Sequence, residues 1–93
     1  MTDEPGRDRM RIHVRVSFPI SKKGPFEEEV VPESTVGAVL ASAMHHFEVE
    51  NDSQFTYVLA HDGQEQPDDV TVGSLAHDTR EVRFTLVKKI TQG

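Results

Sequence analysis

The chain is predicted to fold as α+β, a mixed sheet with one helix packed across it. Three observations carry that expectation. Residues 12–18 and 80–87, near opposite ends of the chain, alternate apolar and polar side chains as half-buried strands do. Between them, residues 36–47 show a single amphipathic helical pattern. Further extended segments lie on either side of that helix. A lone helix with one apolar face must be laid on a sheet, and the other segments supply one.

Residues 1–10, MTDEPGRDRM, hold little apolar surface and read as a disordered N-terminal tail. The domain proper is expected over residues 11–87. The first strand sets Ile12, Val14, Val16 and Phe18 against Arg11, His13, Arg15 and Ser17. Ser21 to Gly24 turns the chain. Residues 25–31 are extended, but Glu28 falls on the same face as Phe26 and Val30, which implies either a bulge or a place at a sheet margin.

Pro32 cannot donate to a continuing ladder, so the strand stops there. Ser34 and Thr35 then offer oxygens to the free N–H groups of a first helical turn. At roughly 100° per residue, Val36, Val39, Leu40, Ala43, Met44 and Phe47 gather on one side of the helix. Phe47 should be buried against Val14, Val82 and Phe84. A polar loop follows, then a strand from Phe55 to Ala60 with Phe55, Tyr57 and Leu59 inward. His61, Asp62 and Gly63 form a turn, with the positive φ expected at Gly63. Residues 64–66 suit a short edge strand, and residues 68–76 a loop with a brief helical turn pinned by Val70, Val72 and Leu75. The last strand points Val82, Phe84 and Leu86 inward, and residues 88–93 read as a flexible tail ending in Gly93.

Ninety-three residues make one small domain. With no cysteine there is no disulfide, thiolate metal site or cysteine nucleophile. A net charge of −6 disfavours nucleic-acid binding. No apolar run approaches the ~20 residues that span a bilayer, and the first ten residues lack the apolar core of a secretory signal. A soluble, cytoplasmic monomer is expected.

Five histidines invite a metal hypothesis. His45 and His46 are neighbours in a helix and point about 100° apart, so they do not share an ion. His13, His61 and His77 lie on other elements without ligand spacing, and solvated side chains are expected. Glu27 to Glu29 read as a strand-edge run, and Asp68 and Asp69 as turn residues. Neither belongs to a calcium loop, and no glycine-rich phosphate loop is present. The expectation is no enzyme activity, no catalytic residue, no metal and no cofactor.

With the first and last strands adjacent, Arg11, His13, Arg15, Arg83 and Thr85 share the sheet face away from the helix. Val58, Ala60 and Val87 border them. A basic patch with an apolar margin, on an acidic protein, would suit an acidic protein partner.

The predicted order, with the first and last strands central and parallel, is the β-grasp arrangement seen in ubiquitin. PFEEEVVPEST, AVLASAMHHF with Val49, the HDG turn, the Pro67 loop and the EVRF strand resemble the ubiquitin-fold modifier family. The likeness spans residues 25–93, and its sharpest element is VPEST followed by AVL. Two departures stand out: the approach to the helix is shorter here, and the tail after Phe84 is longer. That family's tail ends in one glycine preceded by valine, whereas Gln92 precedes Gly93 here. Ubiquitin-like modifiers and sulfur carriers usually end in two glycines.

The resemblance implies a protein modifier. An activating enzyme would adenylate the Gly93 carboxylate and pass it to a cysteine, and a conjugating enzyme would deliver it to target proteins as an isopeptide bond. A residue without Cβ lets the backbone thread a narrow cleft. Two alternatives remain at this point: a non-covalent ubiquitin-like interaction module, and a sulfur carrier.

Overall fold

A computed structural model describes residues 11–76 and 79–90. Among the described residues five strands form one sheet: β1 (Ile12–Ser17), β2 (Phe26–Val30), β3 (Phe55–His61), β4 (Gln64–Glu65) and β5 (Glu81–Ile90). Helix α1 (Val36–Phe47) crosses one face, and a one-turn helix α2 (Val72–Ala76) closes one end. The spatial order is β2-β1-β5-β3-β4. β1 and β5 lie side by side at the centre and run parallel, with Val14 opposite Val82 and Val16 opposite Phe84. All other pairings are antiparallel. The structure has the expected α+β, ubiquitin-like β-grasp architecture.

The core follows from the alternation. Ile12, Val14, Val16, Tyr57, Leu59, Val82, Phe84 and Leu86 point to the helix side and are buried. α1 answers with Val36, Val39, Ala43 and Phe47, while Leu40 and Met44 pack at the margin. Phe47 is buried, and its ring meets Phe18 edge-on with centroids 5.3 Å apart. Phe18 in turn meets Tyr57 at 6.0 Å. This aromatic trio seals one end of the core, a partnership that alternation alone did not predict.

The ends of α1 are held from outside the helix. Thr35 Oγ1 accepts from the Ala38 N–H at 3.2 Å, as a capping side chain should. The Val36 and Gly37 N–H groups donate to the carbonyls of Val70 (2.8 Å) and Asp68 (2.9 Å). In return Val72 and Gly73 N–H donate to Ser34 (2.7 Å) and Pro32 (2.9 Å) carbonyls, so each helix start satisfies the other's free donors. A Cβ at Gly73 would lie 2.8 Å from the Pro32 side chain, which explains a glycine there. At the other end Glu48 takes a left-handed conformation (φ 61°). Val49 N–H reaches back to the Met44 carbonyl at 3.0 Å, closing the helix as a Schellman turn does. Lys23, in the β1–β2 loop, adds a cation there: its Nζ donates to the His46 carbonyl (2.6 Å) and to Glu48 Oε2 (2.8 Å).

Several expectations need adjustment. The turn after β3 places both Asp62 (φ 55°) and Gly63 (φ 83°) in the left-handed region, as a two-residue hairpin matching strand twist requires. The flexible tail does not begin at Lys88. β5 continues to Ile90, pairing Val87, Lys88, Lys89 and Ile90 with Val58, Tyr57, Thr56 and Phe55. Backbone pairing with β3 holds Lys88, Lys89 and Ile90 even though their side chains are exposed. The expected N-terminal tail and residues 91–93 lie outside the described residues.

Glu28 sits without a bulge opposite Val14, on the helix side of edge strand β2. It shares a shallow groove with Phe26, Ala41, Ser42, His45 and His46. His46 is not solvated as expected: its ring lies against Phe26 (5.3 Å) and Phe47 (4.7 Å).

Two outcomes test this packing. Phe47→Ala removes the ring on which Phe18 rests and should cost on the order of 3–5 kcal/mol, read as a large fall in melting temperature; melting within a few degrees of the parent would contradict the packing. Desolvation holds the Glu28 carboxyl above its ordinary pKa, so folding favours the protonated form. That contribution is complete below the unfolded pKa and is lost as pH rises through the folded one. Glu28→Gln should therefore raise the melting temperature near neutral pH, with the gain disappearing in acid. A gain that is largest in acid would reverse the assignment.

Candidate functional site

The sheet face away from α1 is built by the odd-numbered residues of β1, β2 and β5 and the even-numbered residues of β3. In the register, Arg15 pairs with Arg83 and Ser17 with Thr85 across β1 and β5. Ala60 pairs with Thr85 and Val58 with Val87 across β3 and β5. His13, Arg15, Arg83, Thr85, Val58, Ala60 and Val87 thus share one face, and Arg11 is exposed just ahead of β1.

The same register changes the character of that face. Glu27 of β2 stands opposite Arg15, and Glu29 opposite His13. Glu27 lies 2.9 Å from His13 Nε2 and 3.5 Å from Arg15 Nη1, bridging the two. Glu81 accepts from Arg83 Nε at 3.2 Å, and Glu65 lies 2.9 Å from Lys89 Nζ. The face is therefore a lattice of alternating charges rather than the basic patch with an apolar margin that was expected. Such exposed pairs add little stability, each about 0–1 kcal/mol, but they leave both signs available to a partner. Ala60 also departs from expectation. It is buried to 9% exposure and contributes almost no surface, because its small side chain sits between Thr85 and Glu65. Val58 and Val87 are half-buried and form the apolar strip.

Among the described residues no group of three or more histidine, cysteine or acidic side chains is placed to hold a metal ion. His77 and Gly93 lie outside the described residues. β5 ends at Ile90, opposite Phe55. Also among the described residues, no helix is long and apolar enough to cross a membrane.

No family model matches the chain, and no curated protein matches it. Solved structures do. A ubiquitin from Caldiarchaeum subterraneum is 25% identical and superposes with a TM-score of 0.70, covering 89% of this chain and 99% of that one. A ubiquitin-like protein from the same archaeon is 27% identical, with a TM-score of 0.55 over 88% of this chain and 100% of that one. A protein described by its molecular mimicry of SUMO shares the fold at 13% identity and a TM-score of 0.62, over 84% of this chain and 91% of that one. The likeness covers nearly the full length of each neighbour, so the ubiquitin-like fold is shared as a whole domain.

Proposed function

We propose that this chain is a ubiquitin-like protein modifier, related to the ubiquitin-fold modifier family, activated at Gly93 and attached to other proteins. The observation that carries the reading is the whole-domain likeness to an archaeal ubiquitin, at a TM-score of 0.70. The reaction needs little from the modifier itself. Its carboxylate attacks the α-phosphorus of ATP and releases pyrophosphate. A partner's cysteine thiolate then displaces AMP to form a thioester, and a target amine displaces the thiolate. The nucleophilic sulfur belongs to the activating and conjugating enzymes, which agrees with a chain that has no cysteine. ATP and reduced thiols are characteristic of the cytoplasm, where we put the activity.

The outer sheet face is the surface we assign to those enzymes. Arg15 and Arg83 are neighbours across the central pair, and Val58 and Val87 lie alongside. A partner that brings carboxylates to the arginines would compete with Glu27 and Glu81, so recognition should weaken with salt.

The test is thioester formation with ATP and the activating enzyme of the same cell, read as a thiol-sensitive adduct on a non-reducing gel. The full chain should charge and the Gly93 deletion should not, with equal melting temperatures. Arg15→Glu combined with Arg83→Glu should lower charging while leaving the fold intact. A full chain that gives no adduct, or a deletion that charges equally well, would overturn the modifier reading in favour of a non-covalent module. A mass gain matching replacement of carboxylate oxygen by sulfur would instead identify a sulfur carrier.

A further inference from the structure

The last strand has an open edge of its own. β1 ends at Ser17, opposite Thr85, but β5 continues to Ile90 with, among the described residues, only β3 paired beside it. The direction of its backbone groups can be read from bonds on both sides. His13 N–H donates to the Arg80 carbonyl at 2.7 Å, which makes the even-numbered residues of β5 the ones that face β1. The same phase follows from β3. Leu59, paired with Leu86, gives its carbonyl to Gln66 N–H at 2.9 Å on the side away from β5. Tyr57, paired with Lys88, gives its N–H to Asn51 Oδ1 at 2.9 Å, again away from β5. Lys88 therefore turns its N–H and carbonyl toward the position β1 has left, as do the Leu86 carbonyl and the Ile90 N–H. By that phase neither the Lys88 nor the Ile90 N–H enters the ladder with β3.

We infer that this edge, residues 86–90, binds an extended acidic segment of a partner protein by adding it as a strand antiparallel to β5. Charge selects the occupant. A second copy pairing about a twofold axis would set Lys88 against Lys88, and like charges directly opposite destabilise a strand pair. Lys88 has no carboxylate within ion-pair distance among the described residues; its ammonium lies 4.1 Å from the Phe55 ring centroid. Asp52 feels this charge, but its carboxylate already accepts from the Gln54 and Phe55 N–H groups, both at 2.8 Å. Lys22, exposed in the loop after β1, is likewise without an ion-pair partner among the described residues. An acidic side chain opposite Lys88 supplies what the edge lacks. The rest of an added strand has apolar surface to meet on both faces: half-buried Val87 on the outer face, and Ile90, 74% exposed on the same face as Lys88, with Ile20 in the loop that follows β1 70% exposed. The inference does not depend on activation of Gly93 and holds for a covalent modifier or a non-covalent module.

The probe is an acetylated, amidated peptide, Thr-Val-Glu-Val-Thr, titrated into the full-length chain while amide resonances are followed. The expected result is a set of saturable shifts at Leu86, Lys88 and Ile90 and in the loop after β1, with the exchange of the Lys88 and Ile90 amides slowed. Methylating the central glutamate nitrogen of the peptide should abolish the shifts, because that N–H is the donor to the Lys88 carbonyl. Lys88→Glu should abolish them too, and this exposed substitution leaves the core untouched. Deleting Gly93 should change nothing. Equal binding by the methylated peptide, shifts centred on β2 or β4, or concentration-dependent dimerisation of the parent chain through β5 would each overturn the proposal.

Discussion

The whole architecture depends on pairing β1 with β5 in parallel. These strands come from opposite ends of the domain, and no short turn can join parallel neighbours. Everything between them must therefore form the rest of the molecule while returning the chain to the far side of β1. The β1–β2 hairpin goes out to one edge, and α1 crosses over the sheet. β3 and β4 then occupy the other side, and α2 closes the gap before β5 enters. Because the pair is central, its helix-side residues are covered completely: Val14 and Val16 have no exposure and Val82 only 1%. Those contacts are distant in sequence, so loop-closure entropy is lost before they form. In the folded chain the reciprocal bonding of the two helix starts ties residues 32–37 to residues 68–73.

Much of this was legible because burial and period agree. Val14, Val16, Val82, Phe84 and Leu86 alternate strictly, and their strands are covered on one face only. The apolar stripe of α1 likewise reports one surface to be hidden. Where a residue is held by backbone pairing alone, side-chain pattern carries no information. Lys88 to Ile90 read as a tail for that reason, although they are the far half of a two-stranded ribbon. Glu28 looked anomalous because edge strands tolerate a carboxylate at a wet margin, and its raised pKa records the remaining cost.

The interaction face was legible in part for a different reason. Alternation assigns Arg15 and Arg83 to the outer surface, but it cannot say which residues of β2 stand beside them. Strand register does, and it brings Glu27 between His13 and Arg15. A patch that counts as basic along the chain is thus paired in space. The burial of Ala60 arises similarly, from the size of its cross-strand neighbours rather than from its own position. The Gly93 tail, by contrast, draws its meaning from the resemblance and from the domain that carries it.

The central claim is that β1 and β5 form the parallel heart of the domain, and amide hydrogen exchange in the native state tests it most directly. The Arg15, Val82 and Phe84 amides bond within that pair. They should be among the slowest to exchange and should open only with global unfolding, tracking its free energy as denaturant is added. Amides of the two edge strands should exchange sooner through local opening. If the Arg15 and Phe84 amides instead exchanged as fast as those of β4, with no dependence on denaturant, the parallel pair would not be the element on which the fold rests.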